Sequence, residues 1–176
     1  MKRLTLQEAL YLAFCACFIV ISRALFRFHL NIPGHAMFFT MFFLILGKGC
    51  VPKIGAATLM GLLAGLICTL LGMGKGGPLI MLKFLFPALL VDLAGMFSHG
   101  LASSYVASAI VGALGAASRF LSIILVEWII GVDWDIIIQH ALISSASGMV
   151  FGVLGALLVP PIVRKLTAHG LINVSF

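Results

Sequence analysis

Six long apolar runs fill almost all of the 176 residues, and the polar breaks between them are only a few residues long. Crossing a hydrocarbon core of about 30 Å takes about 20 mostly apolar residues. Six crossings and their turns therefore nearly exhaust the chain and leave no length for a soluble domain. Only 9% of residues are charged, where ordinary soluble domains carry roughly 25%. Mean hydropathy is +1.24. Inside lipid each backbone N–H and C=O must be satisfied within the protein, which a helix achieves along its own length. The expected fold is a single all-α integral membrane domain over residues 1–176, a compact bundle of six transmembrane helices.

The spans are expected at about 8–26, 35–47, 54–72, 79–97, 103–130 and 136–163. Arg27, His29, Asn31, Pro33 and Gly34 fall in the first connection, and Lys48, Gly49, Pro52 and Lys53 in the second. The third, 72–78, is dense in glycine, and Pro160 and Pro161 lie near the end of the last span. Met1-Lys2-Arg3 before an apolar run has the look of a signal peptide, but Glu8 interrupts the entry and the run continues to about Phe26 without a convincing small-x-small site before polar mature sequence. The segment is read as the first span. Placing the N-terminus inside puts Lys2, Arg3, Lys48, Lys53, Arg164 and Lys165 on the cytoplasmic side. The outer side then receives Arg27 and Lys75, with Arg23 close to that boundary, so the positive-inside rule gives an N-in, C-in orientation.

A formal net charge of +6 is no nucleic-acid footprint here, because the basic residues are scattered over span ends and not clustered on a face. Cys15, Cys17, Cys50 and Cys68 lack metal-ligand spacing and read as small packing residues. Catalysis has little support. No His pair at i, i+4 encloses a Glu, no Ser sits in a G-x-S-x-G setting, and the 72–77 glycines lack the Lys-Ser/Thr ending of a P-loop. No metal or cofactor is expected in this chain. Active transport would draw its energy from a partner or an ion gradient.

Small residues recur every four positions on several spans. Ala9, Ala13 and Cys17 do so on the first, and Ala57, Gly61, Gly65 and Thr69 on the third. Ser104, Ser108, Gly112 and Ala116 follow on the fifth, and Gly148, Gly152 and Ala156 on the sixth. Such stripes let two helix backbones approach closely. Charges within spans are costly, so each needs a partner, a wet cavity or a ligand. Lys83, Asp92, Arg119, Glu127 and His140 are the cases here. Lys83, Glu127, His140 and Ser144 all come to the outer half from consecutive spans, as a candidate small-molecule pocket. Pairing of Lys83 with Glu127, and of Arg119 with Asp92, is the structural alternative. Trp128 and Trp134 read as interfacial anchors.

Taken in order, these features resemble the substrate-binding S component of an energy-coupling factor (ECF) transporter. The resemblance covers nearly the full length. It is carried by Lys2-Arg3 before an Ala-rich first span with Ala9 and Ala13, the Gly-rich third span, the Gly-Pro stretch 72–78 and the small-residue fifth and sixth spans. It implies a capture subunit in a prokaryotic cell membrane, working with a transmembrane coupling subunit and two ATPase subunits that use the ATP. It implies docking of that coupling subunit on Ala9 and Ala13, with Ala16 or Cys17. It places the pocket in the outer half, among the last three spans and under the outer loops, which implicates Lys83, Arg119, Glu127, His140 and Ser144 with His35, Asn31 and Lys75. The implied cargo is a water-soluble vitamin or vitamin precursor. Lys83, Arg119 and a protonatable His140 outnumber Glu127, favouring an anionic or zwitterionic solute, and Phe38, Phe84, Trp128 and Trp134 suit a ring. Two other readings stay open: an intramembrane enzyme using His140, Glu127 and Ser144, or a solitary small carrier or channel.

Overall fold

A computed structural model describes residues 5–27, 34–73, 77–97 and 101–169. These form α1 (Leu6–Arg27), α2 (Ala36–Cys50), α3 (Ala56–Leu70), a 3-10 turn (Gly77–Leu79), α4 (Ile80–Phe97), α5 (Tyr105–Ile130), α6 (Trp134–Leu157) and α7 (Val159–Ala168). Among the described residues there is no strand. The stretches Leu6–Leu25, Gly77–Phe97, Tyr105–Ile130 and Trp134–Ala168 are long and apolar enough to cross a membrane. The apolar helices α2 and α3 have 15 residues each, about 22 Å of helix, and fall short of the hydrocarbon thickness.

Local chemistry sets the helix ends. Thr5 and Glu8 form a capping box at the start of α1: Thr5 N–H donates to Glu8 Oε2 at 2.7 Å and Glu8 N–H to Thr5 Oγ1 at 3.4 Å. Gly131 (φ +82) closes α5 in a left-handed turn, where its N–H reaches the Trp128 carbonyl and that of Val132 reaches Glu127. The last apolar run does not continue as one helix to 163. Pro160 and Pro161 have no N–H for the carbonyls one turn back, so α6 ends at Leu157 and α7 restarts at Val159. The short α7 is amphipathic: Val159, Pro160 and Val163 are buried while Arg164 and Lys165 are exposed.

The helix α2 sits centrally and touches every other α-helix. Its Met41, Leu44 and Ile45 meet Leu12, Ile19, Met60, Phe84 and Val91 in the core. The small-residue stripes are where helices close on each other. A Cβ on Gly61 would fall 2.9 Å from the Phe84 carbonyl of α4, and one on Gly152 2.9 Å from the Gly112 carbonyl of α5. Outward, α1 exposes Leu6, Leu10, Phe14, Ile21 and Leu25, and α6 exposes Ile136, Ile143, Val150 and Leu154. Apolar surface on that scale suits lipid.

Candidate functional site

Two groups of charge lie inside the bundle, at opposite ends. Where α2 ends and α3 begins, Lys48 and Asp92 form a buried ion pair at 2.6 Å. Lys48 also donates to the Lys53 carbonyl at 2.8 Å. The Asp92 carboxylate accepts from the Ala57 and Thr58 N–H groups at 3.3 and 2.7 Å and from the Thr58 hydroxyl at 2.6 Å. A carboxylate on α4 thus caps the positive N-terminus of α3. Beside this node, Lys53 and Glu8 pair at 2.6 Å and tie α1 to the α2–α3 turn.

At the other end, a recess is lined by Arg23 of α1, Ala36, Met37 and Thr40 of α2, Lys83 and Phe84 of α4, and Arg119 of α5. The Arg23 guanidinium lies 4.8 Å from the centre of the buried Phe84 ring, a cation–π arrangement. Arg119 passes α6 at Gly148, where an added Cβ would stand 3.9 Å from a guanidinium nitrogen. Lys83 lies within electrostatic range of Arg119, Arg23 and Glu127. The Thr40 hydroxyl donates to the Ala36 carbonyl at 2.8 Å. The recess is narrow, with room for about one water molecule.

No carboxylate lines it. The whole chain has five acidic residues, Glu8, Asp92, Glu127, Asp133 and Asp135, and all are described. Glu8 is with Lys53, Asp92 with Lys48, and Glu127 with His140 Nδ1 at 2.7 Å. Asp133 and Asp135 are exposed at the start of α6. Among the described residues neither Lys83 nor Arg119 forms an ion pair.

Of the residues singled out from sequence, Lys83 and Arg119 are therefore brought together. Glu127 and His140 bind each other across α5 and α6, with the His140 side chain 52% exposed, and neither lines the recess. Ser144 is buried one turn from His140, and its carbonyl accepts from Ser147 at 3.3 Å. His35 immediately precedes α2, next to Ala36 of the recess. Asn31 and Lys75 lie outside the described residues. The pairing of Arg119 with Asp92 does not occur, because Lys48 holds Asp92. The recess draws on α1 and α2, and not only on the later spans the resemblance implied. Arg23 was placed by sequence at the outer boundary and not in the site. As a basic residue one turn inside its span, it met the same criterion that singled out Lys83. On the docking stripe, Ala9 and Ala13 are half-buried and Cys17 is exposed, while Ala16 is 1% exposed and belongs to the core. Trp128 and Trp134 are exposed near the recess end.

No family model matches this sequence, and no curated protein matches it. Among solved structures, the crystal structure of an S-component of an ECF transporter superposes with a TM-score of 0.67. That match covers 97% of this chain and 89% of the other, at 18% identity. The fold is that of an ECF S component. The six-helix architecture expected from the apolar runs agrees with it. At such identity the likeness is one of fold, so the S-component scaffold supplies the frame, and the side chains in the recess must speak for the ligand.

Proposed function

We propose that this protein is the substrate-capture subunit of an ATP-driven ECF-type importer. It binds a small water-soluble vitamin or vitamin precursor at the recess end of the bundle and delivers it inward. In this reading it lies in a prokaryotic cell membrane with both termini in the cytoplasm. A coupling subunit and two ATPase subunits supply the energy, and the chain itself has no cofactor and no catalytic role. The recess is what carries the proposal. What supports the reading is a small hollow among apolar helices of an S-component fold, lined by Arg23, Lys83 and Arg119 and by no carboxylate, as a receptor for a charged solute requires.

The Ala9 and Ala13 stripe supports the docking half of this reading, since α1 presents it beside an uncovered apolar face of Leu6, Leu10 and Phe14. Tagged protein is expected to co-purify with a transmembrane coupling subunit and two ATPases. The double variant Ala9→Leu, Ala13→Leu is expected to lose that assembly and solute uptake while keeping ligand affinity. If assembly and uptake survive it, the docking face is elsewhere. If no ATPase-containing complex forms with wild-type protein, the importer reading fails.

A further inference from the structure

We propose that the recess takes the doubly negative head of a small solute, a phosphomonoester or a dicarboxylate, and rejects zwitterions and cations. This rests on the recess being the capture site of the proposed importer subunit. The argument begins with charge. Arg23, Lys83 and Arg119 reach the recess from α1, α4 and α5, and no acidic residue lines it. The Asp and Glu side chains are all placed outside the recess: three of the five are held by Lys53, Lys48 and His140, with Glu127 acting on Lys83 only from beyond the lining, and the other two are exposed at the start of α6. No other segment of the chain contains an Asp or Glu to bring. Lys83 and Arg119 form no ion pair among the described residues, and like charges gathered among apolar helices repel one another and lose hydration, so an anion completes their arrangement.

The number of charges distinguishes the ligand class. The carboxylate of a zwitterion would offset one cation, and its ammonium would then meet the others with no acceptor carboxylate in the recess. A dianionic oxyacid offers several oxygens to one cluster. Arginine's planar fork engages two oxygens at once, and lysine adds a compact charge. Arg23 lies over the Phe84 ring, 4.8 Å from its centre, which restrains where its guanidinium sits. The recess has room for about one water, and its charged walls are long jointed side chains, so a compact head is admitted by rotamer changes of Lys83 and Arg119. A flat ring would need the helices themselves to part. Two sources share this chemistry, a free solute and the phosphate of an anionic lipid.

The test is thermal unfolding of the full-length protein at constant ionic strength, with phenyl phosphate, succinate, inorganic phosphate, alanine and choline as probes. It is run in lipid-free detergent and in nanodiscs of phosphatidylcholine or phosphatidylglycerol. At least one soluble dianion is expected to raise the midpoint in detergent, and alanine and choline are expected to leave it unchanged. Lys83→Met and Arg119→Met should each weaken that dianion about tenfold or more, as loss of a charge-assisted hydrogen bond implies. Arg119→Lys should fall between, because it keeps the charge and loses the fork. Asp135→Asn, outside the recess, should bind as wild type does. The proposal is overturned if no soluble dianion stabilises the protein, if alanine or choline does so equally, or if both Met variants respond like wild type. It is also overturned if only phosphatidylglycerol protects, in which case the recess holds a lipid head group. Co-purification reads the importer proposal separately: a complex that assembles without dianion preference sinks only this inference. Dianion preference without a complex sinks only the importer reading.

Discussion

Lys48 and Asp92 at one end of the bundle, and Arg23, Lys83 and Arg119 at the other, show the same chain handling buried charge in two ways. At the first end each group has a named partner. Lys48 has a carboxylate and a carbonyl, and Asp92 has an ammonium, two backbone N–H groups and a hydroxyl. At the second, cations from three helices line a hollow, and no carboxylate is among the residues that line it. Net formal charge, more than depth, separates the structural pair from the proposed capture site. The first cluster holds α2, α3 and α4 in register, and removing one member should unfold the protein. The second should tolerate loss of a member and lose only ligand.

The largest effect is expected for Asp92→Asn. Breaking a buried pair by removing one partner costs about 3–5 kcal/mol, because the other charge stays buried without a counter-ion. Denaturant unfolding in detergent measures it. The double variant Lys48→Met, Asp92→Leu should recover much of the loss, since it leaves no uncompensated charge. Wild-type stability in Asp92→Asn would erase the distinction between the two ends.

That node was not legible in the sequence, although the fold largely was. Apolar runs specify helices because lipid permits little else, and the stripes through Gly61, Gly112 and Gly152 specify which faces meet. Lys48 instead lies between Gly47 and Gly49, which together read as a turn. The helix runs on through Cys50, because those glycines let α2 pass close to Met60 and Ala102. Pairing with Asp92, 44 residues away, depends on how three helices assemble, and no local pattern encodes that. In the recess, Lys83 and Arg119 stood out as intramembrane charges, whereas Arg23 was assigned to the interface by its closeness to a span end. Glu127 and His140 satisfy each other across the α5–α6 turn, 13 residues apart, a contact that spacing alone left open.

A smaller effect is expected at Gly95, which sharpens the comparison from the side of packing. A Cβ there would run into the Lys48 Cε, so the lysine stem crosses α4 where a side chain is missing. Gly95→Ala should push Lys48 off its line to Asp92. An overpacked core typically loses about 1–3 kcal/mol, and a flexible side chain as the obstacle places this variant toward the lower end. Its cost should nearly vanish in a Lys48→Met background, where the crowding atom and the charge are both gone. A double-mutant cycle reads that coupling.

The smallest expected change in stability is also the one that tests the recess most directly. Arg119→Met, without ligand, removes one cation from a group that has no carboxylate among it. It relieves repulsion with Lys83 and Arg23 and leaves no acid orphaned. Methionine keeps an unbranched apolar stem of similar reach, so packing against Gly148 survives. The unfolding midpoint of ligand-free protein should therefore stay level or rise, opposite in sign to Asp92→Asn, while dianion binding weakens about tenfold or more. A large destabilisation by Arg119→Met would mean that the guanidinium holds the helices together as Asp92 does. The recess would then be a packing defect around a structural arginine, and the contrast between the two ends would disappear.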